Sequence, residues 1–132
     1  MLFKEDTDRK RLMSLIAAIC LFLTGCGFHQ PTYNGNRISN ENQFVLEYSV
    51  MNTTETHTFK LTEGDKIETE IVSDEGEVSV EIGQSGQEPV YQGNQISTGT
   101  FQVVIEESGN YQITVTGKKA KGSVNFTVVT PE

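Results

Sequence analysis

Apolar and polar residues alternate along most of this 132-residue chain from residue 43 onward. Alternation with a period of two is typical of β-strands that have one buried face and one solvent-facing side. Seven runs follow the pattern, and a weaker eighth lies around Val90-Tyr91. The residues in the inward phase are Phe44, Leu46, Tyr48 and Val50; His57, Phe59 and Leu61; Ile67, Thr69 and Ile71; Val78, Val80 and Ile82; Phe101, Val103 and Ile105; Tyr111, Ile113 and Val115; and Val124, Phe126 and Val128.

Segments rich in Gly, Asn, Asp and Ser separate these runs and are typical of turns. They are residues 63–65, 74–76, 83–86, 93–94, 108–110 and 117–122. No stretch of the body repeats apolar residues at helical spacing. The pattern therefore predicts an all-β domain, an antiparallel β-sandwich of about seven or eight strands in two packed sheets.

The N-terminal region has a different pattern. A basic cluster, Arg9-Lys10-Arg11, precedes an almost wholly apolar run from Leu12 to Gly25. This run is shorter than the roughly 20 residues that a membrane-spanning helix needs. A basic region followed by a short apolar run is typical of an export signal, so we expect residues 1–25 to be an apolar signal helix.

The end of the apolar run, Leu23-Thr24-Gly25-Cys26, resembles the bacterial lipobox. The resemblance implies cleavage between Gly25 and Cys26 and a diacylglycerol group on the Cys26 sulfur. Two acyl chains, at about 0.8 kcal/mol per buried CH₂, hold a soluble domain on a membrane. The expected protein is a lipoprotein anchored at the extracytoplasmic face of the cell membrane; an ordinary signal peptide that contains cysteine, or an uncleaved anchor helix, is the alternative.

Residues 26–42 contain scattered Gly, Pro, Asn and Ser without any period. Such a segment supplies no buried face. We therefore expect the lipidated cysteine and a flexible tether over 26–42, with a reach of at most about 50 Å, followed by the β-sandwich domain over 43–132.

The charge of the chain excludes one class of partner. From Cys26 onward there are 6 basic and 15 acidic residues, a net charge of −9. An acidic surface repels phosphate backbones, so nucleic acid is not an expected ligand. A cationic partner suits this surface better.

Catalytic residues are hard to find in the body of the chain. His57 is its only histidine and lies in the inward phase with Phe59 and Leu61, where a partly buried, hydrogen-bonded side chain is expected. Nucleophilic hydrolysis needs a base that is usually histidine, and neither histidines nor cysteines form a metal-binding set. We expect no enzyme activity, no catalytic residue, no cofactor and no metal centre.

Four glutamates fall in the outward phase of two neighbouring runs: Glu68, Glu70, Glu77 and Glu81. If residues 73–76 close a hairpin, Glu68 faces Glu81, and like charges opposite each other destabilise a sheet. Weak binding of a cation would relieve the repulsion, but water and salt on an exposed face do so too. The pattern favours a solvated acidic face over a weak cation site.

Three lysines, Lys118, Lys119 and Lys121, lie in the Gly-flanked segment 117–122. The segment predicts a hairpin tip. Near an anionic surface, each lysine contributes up to about 1 kcal/mol. A tip of lysines is also a good exposed turn, and the pattern favours this second interpretation over contact with an anionic surface.

Residues 98–128, with the strand Gly109-Asn110-Tyr111-Gln112-Ile113-Thr114-Val115, resemble the closing strands of bacterial pre-peptidase C-terminal domains and jelly-roll-like modules. Residues 56–71 match their pattern of strand, Gly-containing turn and strand. The resemblance implies a small β-sandwich. It transfers no catalytic residue.

The expected function is that of a non-catalytic binding or structural module, with the membrane and an envelope protein or polymer as partners. One alternative is a module that binds a cell-wall polymer or carbohydrate, favoured if Tyr91 and the lysines share a face. The other is an inhibitor of a secreted or envelope enzyme. An apolar patch beside residues 83–91 favours the inhibitor.

Overall fold

Seven β-strands, and no helix, make up the part of the chain that the structure, a computed structural model, describes: residues 31–132. The strands are β1 (Tyr33–Ser39), β2 (Gln43–Met51), β3 (Thr54–Leu61), β4 (Lys66–Gly83), β5 (Tyr91–Gly93), β6 (Gly99–Val104) and β7 (Gly109–Val129). Residues 31–132 therefore contain no helix that could span a membrane. The signal segment and Cys26 lie outside the described residues.

Two long strands, β4 and β7, pair antiparallel along most of their length. Residues 66–73 of β4 pair with residues 122–129 of β7, and residues 75–83 pair with 112–121. In the first half of this ladder, β2 pairs with the free side of β7, β1 pairs with β2, and β6 pairs with the free side of β4. These strands form a sheet in the order β1-β2-β7-β4-β6, called layer A below. The second half is extended to β3-β7-β4-β5, called layer B.

The two layers face each other because the β4–β7 ladder folds over. Phe44 pairs with Phe126 in layer A and His57 pairs with Ile113 in layer B, thirteen residues further back along β7. A straight strand would separate these positions by about 43 Å, yet the rings of Phe44 and His57 are 5.1 Å apart. Tyr91 and Phe101 bring the other two edges together in the same way, with ring centroids 4.2 Å apart.

The buried side chains of both layers form one hydrophobic core. They come from the alternating runs, so the predicted inward phase is confirmed for most positions. The largest fully buried side chains are Phe44, Phe59, Phe126, Leu46, Met51, Ile67, Ile71, Ile82, Ile105, Ile113, Val78 and Val80. The all-β, antiparallel architecture follows from this inward face.

Val50 departs from the predicted phase. It is 41% exposed, whereas its neighbour Met51 is fully buried. The register of β2 on β7 shifts between Tyr48 and Met51, and a bulge of this kind turns the following residue to the opposite face.

The predicted turns at residues 74–76 and 117–122 are bends inside β4 and β7, so the hairpin over 73–76 and the lysine hairpin tip are both wrong. The pairing shifts between Ser73 and Glu77 on β4. Left-handed backbone occurs at Gly76 (φ 72°), Lys119 (φ 47°) and Gly122 (φ 146°). Because these irregular residues face each other across the ladder, both strands bend together and neither ends.

The tether prediction does not hold for residues 33–39, which form strand β1. This strand pairs with β2. Arg37 fixes it to layer B: its guanidinium donates to Glu55 Oε2 at 2.9 Å and to the Thr56 carbonyl oxygen at 2.6 Å, and it lies 5.0 Å from the centre of the Phe44 ring. Backbone pairing and one polar anchor therefore stabilise a strand that has no apolar alternation.

Tyr48 places a hydroxyl in the core without a hydrogen-bond partner. The side chain is 5% exposed, and its oxygen has no partner within the described residues. Burial raises the pKa of the Tyr48 hydroxyl to about 12, and Tyr33 and Asp74 act in the same direction. The neutral form is therefore the one that the fold favours.

We expect Gly122→Ala to destabilise the domain by about 2 kcal/mol or more, because φ is +146° and the new Cβ would lie 1.9 Å from the Val72 carbonyl oxygen. Urea unfolding measures the loss. Gly99→Ala is the control: its Cβ would meet nothing closer than 3.9 Å, and we expect a change within about 0.5 kcal/mol. Equal stability of both variants would contradict the role of Gly122 in the bend.

We expect Tyr48→Phe to leave stability at neutral pH unchanged or slightly higher, because no hydrogen bond is lost. The folded state holds the Tyr48 proton more tightly than the unfolded chain, where the pKa is 10.0. Ionisation of Tyr48 therefore does not affect the free energy of unfolding below pH 10, and lowers it by at most about 3 kcal/mol as the pH rises from 10 through 12. Urea unfolding across this range should show a smaller decline for the variant.

Tyr111→Phe is the matched control. The Tyr111 hydroxyl donates to the Glu107 carbonyl oxygen at 2.5 Å, so its removal should cost about 1 kcal/mol at neutral pH. If Tyr48→Phe costs as much, the Tyr48 hydroxyl has a partner in solution.

Candidate functional site

His57 is held as a structural side chain. Its Nε2 lies 2.9 Å from the Asn40 carbonyl oxygen, and its ring lies between Phe44 and Phe59, at centroid distances of 5.1 and 4.8 Å. Both aromatic neighbours are buried. The side chain lies in the inward phase and is half-buried, as the alternation predicts.

The four glutamates of the predicted cation face are all exposed, but they do not face each other. Glu68 pairs with Gln102 and Thr127, not with Glu81. Glu77 pairs with Lys118, and Glu81 pairs with Gln92 and Thr114. Because β4 is one continuous strand, the expected repulsion between Glu68 and Glu81 does not arise. Over residues 31–132, no three His, Cys, Asp or Glu side chains are grouped as a metal ion requires.

The three lysines are exposed at the bend of β7. Two of them have a glutamate as the cross-strand partner: Lys118 lies opposite Glu77 and Lys121 opposite Glu75. The backbone N–H of Lys119 donates to Asn52 Oδ1 at 3.2 Å. Two of the three lysines therefore have a carboxylate as their cross-strand neighbour. Contact of the lysines with an anionic surface stays a prediction.

The outer side of layer A contains a shallow groove of about 460 Å³, the outer-face groove. Alternation along β4 turns Glu68 and Glu70 outward, between buried Ile67 and Ile71. Register then aligns each glutamate with one residue of β6 and one of β7. The two cross-strand rows are Gln102, Glu68 and Thr127, and Thr100, Glu70 and Asn125.

Two carboxylates, two amides and two hydroxyls therefore line one groove on three paired strands. Gln102 Nε2 donates to Glu68 Oε1 at 3.3 Å, and Thr127 Oγ1 donates to Asn125 Oδ1 at 3.1 Å. The first bond lies within one row, and the second joins the two rows. None of the residues that line the groove is basic, so it suits a ligand that donates hydrogen bonds through hydroxyl or ammonium groups.

A second groove, the edge groove, has an open volume of about 470 Å³ and lies where the edge strands β5 and β6 of the two layers meet. Val90 and Val104 line it and are 51% and 55% exposed. Tyr91 also lines it, and its ring stacks on Phe101. Three carboxylates also line it, those of Glu88, Glu106 and Glu107.

The alternation pattern missed the edge groove, although one signal was present in the sequence. Val104 lies between Val103 and Ile105, so it is an apolar residue in the outward phase of its strand. An exposed aliphatic residue at such a position is a departure from the solvated face that the pattern predicts. The sequence carries no such signal for the contact between β5 and β6, because these strands meet only when the β4–β7 ladder folds over.

Tyr91 and the lysines lie on opposite faces of layer B. Tyr91 pairs with buried Ile82 and packs against the core, whereas Lys118 pairs with exposed Glu77. Cross-strand partners share a face of the sheet. The joint surface that would have favoured binding of a polymer through Tyr91 and the lysines is therefore not formed.

No protein-family model matches the chain, and no curated protein matches it.

Solved structures do share similarity with it. One is the pre-peptidase C-terminal domain of a collagenase from Bacillus anthracis, with 14% identity over 76% of this chain and 99% of that domain and a TM-score of 0.48. Another is PliG of Aeromonas hydrophila, a periplasmic inhibitor of g-type lysozyme, with 15% identity over 74% of this chain and 88% of that one and a TM-score of 0.46.

A third is TmCBM61 in complex with β-1,4-galactotriose, with 14% identity over 72% of this chain and 69% of that one and a TM-score of 0.40. At these identities, none of the three likenesses assigns the chain to a family or transfers the role of a residue to it.

Proposed function

We propose that this protein is a non-catalytic binding module, anchored by a lipid on Cys26 at the extracytoplasmic face of the cell membrane. The lipobox-like residues Leu23 to Cys26 support the anchor. The surroundings of His57, the only histidine among residues 31–132, favour a structural role for it, because its Nε2 lies 2.9 Å from the Asn40 carbonyl oxygen and its ring packs against two aromatic rings.

The outer-face groove is the binding surface that we propose, and the observation that supports it is the pair of cross-strand rows around Glu68 and Glu70. Six hydrogen-bonding side chains are held on three paired strands, so the backbone loses little conformational freedom when a ligand binds. The carboxylates favour a ligand with ammonium groups, and the amides and hydroxyls favour one with hydroxyls. An envelope polymer rich in hydroxyl and amine groups has this chemistry.

Recognition by this groove depends on hydrogen bonds, not on ring stacking. Phe101 also lines the groove, but its ring stacks on Tyr91 at 4.2 Å with an interplanar angle of 18°. A sugar ring would therefore find this aromatic side chain already engaged. The carboxylates of Glu68 and Glu70 would then dominate recognition, so we expect selectivity for amine-bearing sugars over their acetylated forms.

The short distance in sequence between Cys26 and β1 sets the reach of the anchored domain. Only residues 27–32 separate them, and an extended chain of this length spans at most about 25 Å. A domain lipidated at Cys26 therefore acts close to the membrane surface.

A second candidate function is inhibition of a secreted or envelope enzyme. The specific observation in its favour is the pair of exposed valines, Val90 and Val104, in the edge groove beside residues 83–91. Exposed aliphatic side chains rimmed by polar residues are typical of surfaces that bind proteins.

We expect Cys26→Ser to abolish lipidation, because the hydroxyl cannot replace the thiol in forming the thioether. Cells that express the chain are fed labelled palmitate, and the label on the protein is measured after gel separation. Cys20→Ser is the matched control and should keep the label. Persistent label on the Cys26 variant would contradict the anchor.

We expect the full chain, in a neutral detergent, to bind short glucosamine oligomers with protonated amines more tightly than N-acetylated oligomers of the same length. The double variant Glu68→Gln, Glu70→Gln should weaken the binding about tenfold, because two charge-assisted hydrogen bonds become neutral ones. Titration calorimetry measures both affinities.

The double variant Glu77→Gln, Glu81→Gln is the control for this experiment. It removes the same charge from β4, but outside the outer-face groove, so its affinity should match that of the unmodified chain. Equal weakening in both double variants would indicate a diffuse attraction by the acidic surface. Failure of the unmodified chain to prefer the amine-bearing oligomers would contradict the proposed ligand.

A further inference from the structure

The edge groove combines the chemistry of a protein-binding surface with an open sheet edge. We propose that it docks an extended, basic segment of a partner protein, with an aliphatic side chain of that segment against Val90 and Val104 and its lysine or arginine groups against Glu88, Glu106 and Glu107. The inference rests on the proposed role of the domain as a non-catalytic binding module. It does not depend on the outer-face groove.

Two valines expose apolar surface in the edge groove. Val90 is 51% exposed and Val104 is 55% exposed, and Val103 and Tyr91 also line the groove. An aliphatic side chain placed here removes apolar area of both partners from water. A small apolar centre with a polar rim is the usual anatomy of a protein interface.

The rim of the edge groove is acidic. Glu88, Glu106 and Glu107 lie on two loops that border the groove, and no lining residue is basic. Lys66, the cross-strand partner of Val104, does not line it. Complementary charge speeds encounter and excludes acidic partners, so the groove selects a basic segment.

Strands β5 and β6 each have one open edge. Each pairs with β4 on one side, and in the described residues no strand pairs with the other side. An extended segment is the conformation that an open strand edge accepts. Gln84 also lines the groove, and its Nε2 is buried without a hydrogen-bond partner. If the side chain rotates toward the docked segment, Nε2 can donate to a backbone carbonyl oxygen of that segment.

The test uses a fluorescent peptide that alternates arginine and valine, and a matched peptide that alternates glutamate and valine. Anisotropy is measured with the full chain in a neutral detergent. We expect the arginine peptide to bind with a micromolar Kd, and its affinity to fall as salt rises from about 0.05 M to about 0.5 M. The glutamate peptide should not bind.

Two variants test the groove itself. The double variant Glu106→Gln, Glu107→Gln should weaken binding of the arginine peptide about fivefold and flatten its salt dependence. The double variant Val90→Thr, Val104→Thr keeps the side-chain shapes and should also weaken binding about fivefold. All four residues are exposed, so the variants should fold, which circular dichroism checks.

Matched controls separate docking in the edge groove from a diffuse attraction by the acidic surface. Glu77→Gln with Glu81→Gln removes the same charge from β4 outside both grooves, and Val50→Thr changes an exposed valine on β2; neither should alter the Kd for the arginine peptide. Absence of binding, equal binding of both peptides, or equal weakening in test and control variants would overturn the docking site. Loss of glucosamine binding alone would leave it standing.

Discussion

The antiparallel ladder between β4 and β7 is the interaction on which the rest of the structure depends. Every other strand except β1 pairs with one of these two, and each half of the ladder forms the centre of one layer. The bend sits where Gly76, Lys119 and Gly122 adopt left-handed backbone. If the ladder were straight, its apolar faces would stay exposed, and the single core could not close.

The bend also makes the two edges of the sandwich different. At one edge, Arg37 joins β1 to β3 through its ion pair with Glu55, and His57 reaches the Asn40 carbonyl oxygen. At the other edge, the stacked rings of Tyr91 and Phe101 join β5 to β6. At the first edge, the polar side chains bind each other or the backbone. At the second edge, Val90 and Val104 are exposed between acidic loops.

The two grooves are neighbours on β6. Gln102 lines both of them, and the alternation along this strand leaves Val104 next to the acidic rows of the outer-face groove. One surface therefore offers hydrogen-bond acceptors for a polar ligand, and the adjoining one offers an apolar centre with an acidic rim. Both suit a cationic partner, in agreement with the net charge of −9 from Cys26 onward.

The inward phase of each strand could be predicted because burial depends on local alternation: Phe44, Ile67 and Ile113 are buried as their runs require. Strand β1 could not be predicted. It is stabilised by its pairing with β2 and by the contacts of Arg37, and neither requires apolar alternation in the sequence. The segments around Gly76 and Gly122 have the composition of turns. Chain reversals and β-bulges use the same residue types, so composition does not distinguish between them.

The sequence by itself determined the all-β class, the faces of the strands, the acidic charge and the inward position of His57, since each is a property of neighbouring residues or of composition. Only the tertiary structure decided that β4 and β7 bend without reversing. It also decided that Glu68 lies beside Gln102 and Thr127, and that β5 meets β6. These outcomes depend on which distant strands pair and in which register, and no local pattern specifies that choice.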